Sequence, residues 1–74
     1  MEQTHQLIDT LKKELRRVGK TYADVAKELD LSEASVKRLF SERNFSLYRL
    51  EKTCTLIGID MAELVDSMRS RQRG

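Results

Sequence analysis

The chain has 74 residues, 35% of them charged and 39% hydrophobic, with no proline, three glycines and a formal net charge of +2. That suffices for one small domain with a single core and leaves no room for a second. One cysteine excludes an internal disulfide, no apolar run approaches the roughly 20 residues that cross a bilayer, and MEQTHQLIDT at the start lacks signal-peptide character, so a cytoplasmic protein is expected.

Without proline, and with scarcely any β-branched alternation, the sequence predicts an all-α domain. Thr4 is the expected cap of a first helix, with Leu7, Ile8, Leu11, Leu15 and Val18 on its inner stripe and Gly19 as a left-handed stop. Thr21 and Asp24 read as a capping box that starts a second helix at about Tyr22. Val25, Ala26 and Leu29 give this helix an apolar face, kept thin by Ala26 where another helix must cross closely. Asp30 falls where the chain turns, and Asp tolerates the left-handed conformation better than most residues.

Leu31 is the expected plug of that turn, and Ser32 caps a third helix with Val36, Leu39 and Phe40 facing inward. Glu33, Ala34, Ser35, Lys37 and Arg38 are left on its outward side. Ser46 then caps a fourth helix, with Leu47, Leu50, Cys54 and Ile57 inward and Gly58 at its end. Asp60 and Glu63 form another capping box, opening a last helix with Leu64, Val65 and Met68. The expected domain spans residues 1–68. RSRQRG (69–74) has no apolar periodicity and is expected as a frayed basic tail, the start of a linker to a further C-terminal region.

Two helices crossing at a tight turn over residues 22–40 form a helix-turn-helix, a device for reading DNA. Through Val25, Ala26, Leu29, Leu31, Val36, Leu39 and Phe40 the segment resembles the XRE-type family of phage lambda repressor and Cro. The likeness continues in NFSLYRLEKTCTLIGIDMAEL (44–64), which is similar to the family's tail N-P-S/T-L-x-x-L-x-x-I/C-x-x-L-G-I/V-x-x-x-E-L, with Phe45 where proline is usual. It covers the chain from about Leu7 to Val65.

The resemblance implies a five-helix lambda-repressor-like fold with its helix-turn-helix at helices 2 and 3. It also implies a transcriptional regulator that binds double-stranded DNA sequence-specifically, as a homodimer, in a bacterial or phage setting where it is nucleoid-associated when bound. Glu33, Ala34, Lys37 and Arg38 are the implied base-reading residues. Arg38 suits guanine O6 and N7, and Glu33 suits cytosine N4 or the helix dipole alone. Tyr22, Ser32, Ser35, Arg43, Asn44, Ser46 and Tyr48 are the phosphate-contact candidates, assisted by Lys20 or Arg49. Tyr22 stands where relatives usually carry a phosphate-touching glutamine, and packing is its alternative role.

Charge alone is less telling, because residues 21–45 hold Lys27, Lys37, Arg38 and Arg43 against Asp24, Glu28, Asp30, Glu33 and Glu42. A local positive stripe is enough, since phosphate neutralisation acts within a Debye length of about 10 Å. Met61, Leu64, Val65 and Met68 are read as core or as a dimer contact. The alternatives to a free-standing regulator are a fold reused as a protein-interaction module, or an autoregulating antitoxin.

Enzyme chemistry has no inventory to draw on. His5 is the sole histidine, Cys54 lies on an apolar helical face as an ordinary buried thiol, and neither a Gly-rich phosphate loop nor a Cys/His cluster occurs. Asp24 and Glu28 read as cap and surface residues. No catalytic residue, cofactor, metal or membrane partner is expected.

Overall fold

The computed structural model describes residues 3–73. Its helices, in chain order, are α1 (Gln3–Arg17), α2 (Tyr22–Leu29), α3 (Glu33–Glu42), α4 (Leu47–Ile57) and α5 (Met61–Arg73). Among the described residues there is no strand. The all-α, five-helix architecture is the expected one.

Side chains that satisfy otherwise unpaired N–H groups define the helix starts. At α2 the Asp24 N–H donates to Thr21 Oγ1 at 3.3 Å, while the Thr21 N–H donates to Asp24 Oδ2 at 2.8 Å, completing a capping box. The hydrogen bonds from the Thr21 backbone and hydroxyl hold the Asp24 carboxyl below the usual carboxylate range. Asp60 and Glu63 repeat the arrangement before α5, at 2.7 and 2.9 Å. Ser32 and Ser46 each accept one backbone N–H, from Ser35 at 3.1 Å and Arg49 at 3.2 Å.

Left-handed residues stop the first four helices. Gly19 and Gly58 have φ of +76° and +93°, which glycine adopts without steric cost. Asp30 and Arg43 take the same conformation at φ 58° and 51°, so both ends of the segment containing α3 rest on non-glycine left-handed caps.

The core gathers Leu11, Leu15, Val25, Val36, Cys54 and Leu64, each at most 1% exposed. Helix α1 packs against α3, α4 and α5, and α2 packs against α3 and α4. Ala26, 7% exposed, lets the α2 backbone approach closely. Burial raises the Cys54 thiol to about 11, with Asp60 and Glu51 adding to the effect, so it stays protonated and unreactive at neutral pH.

Several expectations are corrected. Helix α1 already includes Gln3, so Thr4 lies inside its first turn and does not cap it. Leu47, the first residue of α4, points to solvent at 74% exposure, and the inward face of the helix begins only at Leu50. Thr53 takes the buried place, with its hydroxyl donating to the Arg49 carbonyl at 2.8 Å. Leu39 is only half-buried, leaving Val36 and Phe40 as the inward residues of α3. Helix α5 runs on through Arg73 where fraying was expected after Met68, while Gly74 lies outside the described residues.

The later turns of α5 are tied to α1 through the buried Glu14. Its Oε1 accepts from Arg17 Nε at 2.8 Å, its Oε2 accepts from Ser67 Oγ at 3.0 Å, and Arg71 Nη2 stands 3.9 Å from Oε2. Burial raises the Glu14 carboxyl, but the bonds from Arg17 and Ser67 and the charges of Arg17 and Arg71 outweigh it and leave the group lowered.

A lowered carboxyl stabilises the fold above its unfolded pKa of about 4.3, and that contribution is lost as pH falls through the lower folded value. Glu14→Gln is therefore expected to cost about 1–3 kcal/mol at pH 7, with a smaller difference at pH 3. Urea unfolding at the two pH values checks this. A deficit undiminished at pH 3 would refute the ionic role.

Candidate nucleic-acid interface

The exposed side of α3 follows from its inward residues. With Val36 and Phe40 buried, Glu33, Ala34, Lys37 and Arg38 are all exposed, and Ala34, Lys37 and Arg38 fall at i, i+3 and i+4 on a single face. Ser32 and Ser35 sit together at the start of the helix, where the Ser32 hydroxyl both accepts the Ser35 N–H and donates to Ser35 Oγ at 3.0 Å. Both hydroxyls are engaged with each other, and Ser32 remains exposed.

Tyr22, at the first position of α2, packs as well as lining the surface. Its ring stacks on Phe40 at 5.0 Å between centroids, and Phe40 in turn meets Phe45 edge-on at 4.9 Å. This three-ring stack ties the start of α2 to the end of α3 and to the α3–α4 loop, and aromatic pairs of this kind add about 0.5–1.5 kcal/mol beyond area burial. It gives Phe45, in the place where proline is usual, a definite packing role.

Lys37, Arg38 and Tyr22 line one open hollow of about 480 Å³, together with Ser41 and with Lys12 from α1. Lys12 went unrecognised in the sequence. Its signal was a four-residue spacing, Lys12, Arg16, Lys20, running beside the apolar stripe of α1.

The other candidates lie elsewhere. Arg43 reaches back to α1, where its Nε donates to Asp9 Oδ1 at 3.0 Å and its Nη2 to Asp9 Oδ2 at 3.4 Å. Asn44 is exposed, and its backbone N–H donates to the Leu39 carbonyl at 3.1 Å. Ser46 caps α4. Tyr48 is 67% exposed with Lys52 Nζ 5.8 Å from its ring centroid, and Lys52 itself stands 3.7 Å from Glu28. Asn44, Ser46 and Tyr48 follow α3 in the chain and do not line the hollow around Tyr22. Lys20 lies within the field of Asp24 at the start of α2, and Arg49 is half-buried.

Among the described residues no group of three or more His, Cys, Asp or Glu side chains is placed to hold a metal ion, and no helix is long and apolar enough to cross a membrane. Residues 10–68 match the family model of the Cro/C1-type HTH DNA-binding domain. No curated protein and no solved structure matches the chain.

Proposed function

The chain belongs to the Cro/C1-type HTH DNA-binding domain family, and from that membership we propose that it is a transcriptional regulator reading double-stranded DNA with α3 in the major groove. The observation that carries this reading is the exposed face formed by Ala34, Lys37 and Arg38, with Glu33 beside it at the helix start. Arg38 is suited to guanine O6 and N7, Glu33 to the amino group of cytosine, and the Ala34 methyl to thymine. Lys37 serves a base edge or an adjacent phosphate.

Phosphate contacts are assigned to Tyr22, Ser32, Ser35, Asn44, Ser46 and Tyr48, supported by the free N–H groups and dipoles at the starts of α2 and α4. Arg43 joins them by sharing its guanidinium between Asp9 and the DNA backbone. One such domain covers few base pairs, so the active form is a homodimer on a two-fold operator in the cytoplasm. Leu64 and Met68 are buried, which leaves Met61 and Val65, both half-buried, as the part of α5 available to a second copy.

The test is selection of binding sites from a randomised duplex pool, followed by fluorescence anisotropy across a salt series. The expected result is one enriched, two-fold symmetric motif whose affinity falls linearly with the logarithm of salt concentration. A chain that enriches no sequence and ignores DNA at low salt would overturn the reading in favour of a protein-interaction module.

A further inference from the structure

Resting on that reading, we propose that Lys12, Arg16 and Lys20 form a second phosphate track, on which the DNA backbone flanking the major-groove contact is held against α1. Lys12 and Arg16 lie four apart on α1, separated by about 6 Å of rise, and Lys20, beyond the left-handed Gly19 that follows the helix, meets them at a shared hollow. Arg16 and Lys20 line a hollow of about 380 Å³ with Lys12, Tyr22 and Thr21. Lys12 and Tyr22 also line the hollow of Lys37 and Arg38, so the two adjoin. Together their walls carry five basic side chains and no carboxylate.

The ion pairing of the rest of the surface sharpens this. Arg17 and Arg71 are drawn to Glu14, Arg43 to Asp9 and Lys52 to Glu28. Among the described residues, Lys12, Arg16, Lys37 and Arg38 have no carboxylate within ion-pair distance. The hydroxyl of Tyr22, a residue of both linings, likewise makes no hydrogen bond to a described residue. Two adjoining hollows that carry the unpaired cations Lys12, Arg16, Lys37 and Arg38, with Tyr22 lining both, suit a polyanion wide enough to cross them, which a duplex backbone is. Contacts to phosphate carry no sequence information, so this track sets affinity and register while α3 sets the sequence.

Anisotropy titrations of the full chain with a selected duplex and a scrambled duplex, across a salt series, test the proposal. Lys12→Gln/Arg16→Gln is expected to reduce the slope of log affinity against log salt by about 1.8, at about 0.9 for each phosphate that is no longer neutralised. Affinity for both duplexes should fall by the same factor, leaving their ratio unchanged. Lys13→Gln/Arg69→Gln removes the same charge from the α1–α5 side and is expected to leave the slope within about 0.3 of wild type. Arg16→Gln alone, at an exposed position, should take away about half of the effect and serves where the double variant loses its helical circular dichroism. Equal slopes for the two double variants, or an unchanged slope in Lys12→Gln/Arg16→Gln, would overturn the track while sparing α3. Wild-type protein that does not bind DNA would overturn both.

Discussion

Replacing Lys37 and Arg38 together by alanine is expected to weaken binding to the selected operator by about 10- to 100-fold, while scrambled duplex loses less. Arg38 accounts for most of this, because a bidentate contact to guanine discriminates by about 1–3 kcal/mol, and each 1.4 kcal/mol is a factor of ten. Lys37 contributes mainly through charge. Both side chains are exposed, and alanine is the best helix former, so the thermal melt should stay where it is. Anisotropy with the two duplexes separates the outcomes. Equal losses on both would reduce α3 to a phosphate-binding element, and no loss on either would remove it from the interface.

The second large effect is on stability. Leu11 is fully buried at the centre of α1, the helix that packs against α3, α4 and α5. Truncating a buried leucine to alanine costs about 2–5 kcal/mol. A domain of this length has only about 4–11 kcal/mol in total, at roughly 0.05–0.15 kcal/mol per residue. Leu11→Ala is therefore expected to remove about half of the stability and lower the melting temperature by about 10 °C or more. Thermal unfolding followed by circular dichroism measures it. A shift of about 2 °C or less would mean that the site collapses around the cavity and that α1 is less central than its burial indicates.

Local chemistry made most of the fold legible. The pairs Thr21 with Asp24 and Asp60 with Glu63 announce helix starts because a reciprocal cap needs only a three-residue spacing. Gly19, Gly58 and Asp30 announce stops because few residue types enter the left-handed region readily. Leu47 misled, because helical spacing states which face a residue shares and not whether core lies opposite that turn. The persistence of α5 to Arg73 was hidden for a related reason. The contacts from Ser67 and Arg71 to Glu14 cross most of the chain, and no local window contains them.

The candidate interface was legible in part. The outward residues of α3 follow from its inward ones, so Glu33, Ala34, Lys37 and Arg38 could be named without a structure. Lys12 and Arg16 could not be joined to them, because only the packing of α1 against α3 brings their hollows side by side at Tyr22. Arg43 shows the converse. A basic residue just past α3 reads as a free cation until the fold sets Asp9 against it.

The clasp between α1 and α5 also bears on how the chain matures during synthesis. Helix α1 leaves the ribosome before α5, against which it packs, and Glu14 waits for Ser67 and Arg71. At about 5–20 residues per second, the nascent α1 stands for a few seconds with Leu11 and Leu15 unshielded. Helices α2 and α3, adjacent in sequence and packed on each other, can dock in that interval, but the face of α1 that meets α5 stays open until α5 emerges. Substitutions in α5 should then be felt first as a lower yield of newly made protein, before any loss is seen in molecules already folded.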